Sequence, residues 1–164
     1  MLKEHTIDLA FTMNTAYQDE GIETQPCIPF HIYAVMRNTH PLTRLPKVTY
    51  EDLLKHGVIM ADGATTFQQY LQHDLTKLNV KCIVSDPDED LAIVEQTPYI
   101  TFMSKLYMKQ HPTLAARPIV GLEHELMSNA HWMQDVPMKR SAQIFLDIIR
   151  QEVVPYIKEL EKLY

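Results

Sequence analysis

Eight histidines are the first residues here that could do chemistry: His5, His31, His40, His56, His73, His111, His124 and His131. Imidazoles bind transition metals or move protons near neutral pH, but both uses need partners at fixed spacing. These are dispersed along the chain. The closest approach to a metalloprotease motif, "HELMSNAH" at 124–131, sets its second His seven residues on, where it does not share a helical face as an i, i+4 pair does. Cys27 and Cys82 stand in apolar settings ("QPCIPF", "VKCIVS") without CxxC spacing, and read as buried thiols rather than as a disulfide, ligands or nucleophiles. The basic residues Arg37, His40, Arg44, Lys47, Lys55 and His56 have no Gly-rich turn or helix start to focus them on one phosphate. They read as scaffold, with His40-Pro41-Leu42 as loop residue, rigid turn and apolar anchor. The acidic run "DPDEDLAIVEQ" suits the positive end of a helix, and lacks the glycine that an EF-hand loop needs at its turn. GxSxG, Walker and GxGxxG patterns are missing, so no catalytic residue, metal ligand or cofactor is expected.

One stretch remains, "MADGATTFQQYL" at 60–71. A strand ends, Asp62-Gly63 turns, and Ala64, Thr65, Thr66 and Phe67 open a helix. Its free N–H groups, its dipole and two hydroxyls make a site for a carboxylate or other small anion. The alternative is that Thr65 or Thr66 only caps the helix.

The elements that must position such a site show as short apolar runs: "IDLAF" (7–11), "HIYAVM" (31–36), "GVIMA" (57–61), "KCIVS" (81–85), "YITFM" (99–103), "RPIVGL" (117–122) and "AHWMQ" (130–134). Helical patterns lie between several of them. Thr65 to Leu78 carries Phe67, Tyr70, Leu71, Leu75 and Leu78 on one stripe. "TYEDLLKHG" has Thr49 as cap, Asp52 at the capping-box position and Gly57 as stop. Alternation of this kind predicts an α/β fold with a largely parallel sheet. From Ser141 to Tyr164 a helical face carries Phe145, Ile148, Ile149, Val153, Tyr156, Ile157 and Leu160, with Pro155 expected to kink or split it.

A length of 164 residues suits one domain or two small lobes. The net charge of −6 is the wrong sign for holding a polyanion, which argues against autonomous nucleic-acid binding. Charges at Lys3, Glu4 and Asp8 break any signal-peptide core, and no stretch approaches the length of a membrane span. A cytoplasmic protein with no membrane association is expected.

The order of these segments resembles a known family. "IDLAF", then "THPLTRLPKVTYEDLLKHGVIM", the Thr-rich helix start, "DLAIVEQTPYITFMSKLY" and "SAQIFLDIIR" look like the effector-binding domain of LysR-type transcriptional regulators, with His40-Pro41-Leu42, Val48, Asp52-Leu53 and Ile59 the most telling. The resemblance implies a two-lobed fold like that of type 2 periplasmic binding proteins, with an incomplete first lobe. Residues 1–24 would be a first-lobe remnant, 25–119 the second lobe, and 120–164 the return to the first with the C-terminal helix. It implies a small anionic or polar effector bound between lobes, touching Thr12, Ala64, Thr65, Thr66, Phe67, Ile100 and Phe102. DNA would be reached only through a domain not in this chain. "QTPY" (96–99) stands where the family commonly has a Gly-rich turn, so the bulk of Tyr99 is expected to fill or reshape the ligand cleft. An Ile7–Phe11 strand lacking neighbours and a tail too short to be stable alone predict a homodimer. The alternative on the same fold is a stand-alone small-molecule binding or dimerisation protein.

Overall fold

The computed structural model describes residues 1–13, 19–62 and 73–163. The chain divides into two units, Met1–Phe30 with Glu125–Tyr164, and His31–His124.

In the first unit β8 (Leu126–Met133) is the central strand, antiparallel to β1 (Ala10–Met13) on one side and β2 (Ile22–Phe30) on the other. The strand expected at 7–11 begins only at Ala10. Asp8 instead turns outward to an ion pair with Lys139 at 3.0 Å. β1 is not without neighbours, since all four of its residues pair with β8, and only its other edge is open among the described residues. β2 has no counterpart among the expected strands, and it carries Pro26 and Pro29, residues that disfavour a central strand. A proline is tolerated on an edge strand, and the pairing register shifts between Pro26 and Ile28, a bulge that holds Cys27 buried.

The C-terminal helix shows how the chain accommodates Pro155. After α3 (Arg140–Ile148), residues Ile149–Val153 form a π-helical turn that leads into α4 (Val154–Leu163). Pro155 cannot donate to the carbonyl of Gln151. One residue ahead, the Val154 N–H reaches back five residues to the Ile149 carbonyl, so the helix widens its register at this point. Ala142, Leu146, Ile149 and Ile157 are buried against Cys27, Ala130 and their neighbours, whereas Phe145, Ile148 and Tyr156, expected on the packed face, are about half exposed.

The second unit contains an antiparallel sheet in the order β6-β3-β7, from β3 (Tyr33–Arg37), β6 (Thr101–Met103) and β7 (Leu114–Pro118). A parallel pair, β4 (Gly57–Ala61) and β5 (Asn79–Val84), joins it through the isolated bridge of Val58 to Ile100. Most strand pairs among the described residues are therefore antiparallel, not parallel as the alternation suggested. Alternation fixes the order of elements but not their partners.

α1 (Tyr50–Leu53) starts on the expected box: the Thr49 hydroxyl accepts from the Asp52 N–H while the Asp52 carboxylate accepts from the Thr49 N–H. It lasts one turn, and Gly57 opens β4 rather than stopping the helix. Of the helix expected over 65–78, residues 65–72 lie outside the described residues. Its last part is a short 3-10 turn, Leu75–Lys77, capped by Asp74, with Leu78 buried. α2 (Pro87–Gln96) is capped by Asp86, whose carboxylate accepts from the N–H groups of Asp88 and Glu89, and it buries Leu91 and Val94. Among the described residues no helix is long and apolar enough to cross a membrane.

Candidate functional site

Successive residues of a strand face opposite sides, so Ala10 and Thr12 share one face of β1 while Phe11 and Met13 take the other. His131 on β8 lies opposite Ala10 on one side and Thr24 on the other. Its ring is 2% exposed and spans both edge strands: Nε2 is 2.7 Å from the Thr12 hydroxyl and Nδ1 is 2.9 Å from that of Thr24. Burial holds this imidazole below its ordinary pKa of 6.5, in the neutral form, where one ring nitrogen donates and the other accepts. The three side chains make a hydrogen-bonded chain across the sheet.

Thr12 and His131 of that chain line a cavity of about 420 Å³, walled by the apolar side chains of Leu2, Ile7, Ala10 and Ile22. At its rim Lys3 pairs with Asp19 at 2.6 Å. This arrangement suits an apolar body carrying a polar group toward Thr12. His131 is no ready general base, because both its nitrogens are already in hydrogen bonds.

In the second unit the expected contacts lie in different surroundings. Ile100 is fully buried, and its N–H and carbonyl bond to Gly57 and Ile59, so its side chain belongs to the core and is withdrawn from any ligand. Phe102 is half-buried and packs against that same core. Ala64, Thr65, Thr66 and Phe67 lie outside the described residues. Tyr99 is also accounted for: its ring lies over Gly57, where a Cβ would come within 2.6 Å of it, and it packs on the core around Leu91 and Met103. A second cavity of about 280 Å³ is lined by His31, Tyr33, Lys47, Leu122 and Glu123, with Lys47 and Glu123 paired at 2.8 Å.

His40 is no solvated loop residue. It is 5% exposed, its Nδ1 accepts from the Leu42 N–H at 3.2 Å, and its ring meets that of His56 edge-on at 4.6 Å. Burial, then the neighbouring His56, lower its pKa, and a hydrogen bond to the Pro98 carbonyl opposes them. Among the described residues no three His, Cys, Asp or Glu side chains cluster so as to hold a metal ion.

Of these three, the sequence singled out only Thr12 as a candidate contact, and it attached no role to Thr24 or His131. The available signal was a histidine inside the apolar run "NAHWM", since a polar residue in the middle of a buried strand needs partners across it. Thr24 was hidden by the prolines that disguised β2.

Comparisons with known proteins agree with this architecture. A family model described as the LysR substrate binding domain matches residues 1–154. No curated protein sequence matches significantly. The effector-binding domain of QuiR, solved in complex with shikimate, superposes with a TM-score of 0.73 at 17% identity, over 96% of this chain and 75% of that one. The regulatory domain of MetR from N. meningitidis gives 0.74 at 21% identity, over 92% and 72%. The reduced OxyR regulatory domain from Pseudomonas aeruginosa gives 0.70 at 17%, over 91% and 75%. At these identities the structures speak for the α/β fold alone; the family match spans nearly the whole sequence, and the chain belongs to the LysR substrate-binding domain family.

Proposed function

We propose that this chain is the effector-sensing module of a LysR-type transcriptional regulator, which binds a small anionic or polar metabolite and thereby controls an attached DNA-binding domain. Membership of the family supports the sensing role. The observation that carries the ligand reading is Thr12, held by His131 at the floor of an open cavity and so oriented before any ligand arrives. The other contacts we propose are Ala64, Thr65, Thr66 and Phe67, where a helix start would take a carboxylate. A small carboxylate also fits the shikimate held by the QuiR domain. The module acts by binding rather than catalysis, in the cytoplasm, as a homodimer, and it meets DNA only through its attached domain. A ligand acts on such a module only through a difference in affinity between two arrangements.

A second reading, dimerisation without a ligand on the same fold, is favoured by one observation. The edge of β1 that is open among the described residues carries Phe11, 37% exposed, and Met13, 60% exposed, beside Phe145.

A thermal-shift panel of small carboxylates and neutral polar metabolites separates the two. A ligand at about 100 times its Kd stabilises by about 2.7 kcal/mol. A hit among the carboxylates supports sensing. A panel that leaves the melting temperature unchanged, together with a dimer in sedimentation, favours the second reading.

A further inference from the structure

Asp90 takes no part in the proposed ligand site, yet it is the most deeply buried acid among the described residues. It sits in the first turn of α2 and is 2% exposed, whereas Asp88 and Glu89 beside it lie in solvent. Its Oδ2 accepts from the hydroxyl of Thr101 on β6 at 2.5 Å, and Thr101 is itself 1% exposed. Its Oδ1 has no hydrogen-bond partner. The core beside this pair is apolar, with Leu91, Val94, Ile59 and Met103.

An ionised carboxylate needs donors at both oxygens or a cation nearby, whereas a neutral carboxyl is satisfied far more cheaply. Among the described residues no cation serves Asp90. Its own helix supplies only the exposed acids Asp86, Asp88 and Glu89, and half-buried Glu95 further on, which pairs with His111. β3 brings Tyr33 and the exposed Arg37, β5 brings Lys81 and Cys82, and Tyr99 precedes β6; β4 brings no titratable group. None of these charges shifts the group. Burial raises its pKa from 3.8 to about 6, and only the Thr101 bond opposes it.

We propose that Asp90 and Thr101 form a proton-operated latch between α2 and β6. With its proton, Asp90 is a neutral partner for Thr101 and the helix is held to the strand. When the proton passes to solvent, a buried charge with one unpartnered oxygen is left behind and the contact loosens. The second unit is therefore tight in mild acid and slackens as pH rises from about 4 through about 6, a device that goes beyond ligand sensing.

The test is thermal unfolding of the full chain and of Asp90→Asn from pH 5 to pH 8. His40 and His131 titrate in both proteins, so the difference between the two profiles isolates Asp90. The wild type is expected to lose roughly 3–6 °C relative to the variant across that range. Parallel profiles would overturn the latch. Should the variant not fold, infrared titration of the wild type decides. A protonated-carboxyl C=O band that persists above pH 5.5 and moves to still higher pH in Thr101→Val supports the proposal, and complete ionisation of every carboxyl by pH 5.5 overturns it.

Discussion

His40 carries its proton on Nε2, because Nδ1 accepts from the Leu42 N–H while the ring donates to the Pro98 carbonyl. A second proton at Nδ1 would point at another N–H, in a site already poor in water and beside His56. The folded pKa lies below the ordinary 6.5, so below that value the unfolded chain binds more protons than the folded one. The stability due to His40 is thus complete above pH about 6.5 and lost as pH falls through the folded pKa. His131 works in the same direction. Asp90 works in the opposite one, since its raised pKa makes the folded state bind the extra proton between 3.8 and about 6. Urea unfolding from pH 4.5 to 7 is expected to show His40→Asn, which keeps an acceptor for the Leu42 N–H, losing less stability on the acid side than the wild type. An acid limb as steep in the variant would show that His40 does not titrate there. None of this was legible in the sequence, where His40 read as a loop residue. Its burial depends on Leu42 and on the stretch before Tyr99, more than fifty residues apart in the chain.

At the scale of elements, local chemistry was readable and long-range pairing was not. The Thr49 to Asp52 box and the bounds of β4 follow from neighbouring residues, and both were found. β2 was missed because prolines are breakers everywhere except on an edge, and whether a strand is an edge depends on its partners. The role of Gly57 was misread for the same reason: what it needs is space for the Tyr99 ring, which arrives from far along the chain. Gly57→Ala is therefore expected to cost about 1–3 kcal/mol in chemical denaturation, because the ring is packed and cannot swing away freely. Tyr99→Ala in the same background should then recover part of the space lost, and no coupling between the two would contradict the contact. Thr49→Ala is expected to cost about 1 kcal/mol through loss of the cap.

At the scale of the whole molecule, family and order of segments were legible. The full burial of Ile100 was not, since a residue's place on an expected strand does not say which side of it is core. Assembly is the next question. Phe11 and Phe145 meet edge to face at 5.8 Å, 37% and 50% exposed, beside the edge of β1 that is open among the described residues. A homodimer closed over these rings predicts that Phe11→Ser with Phe145→Ser yields a monomer in sedimentation equilibrium. Removing residues 154–164 acts differently, because it takes buried Ile157 out of the core and lowers the melting temperature as well.

The proposal that Thr65 and Thr66 contact a small anionic effector is the central one, and calorimetric titration of a stabilising carboxylate into the full chain and into Thr65→Ala with Thr66→Ala tests it most directly. The account predicts at least a tenfold rise in Kd, about 1.4 kcal/mol, in a variant whose unfolding free energy falls by no more than about 1 kcal/mol. An unchanged Kd in the double variant would contradict it.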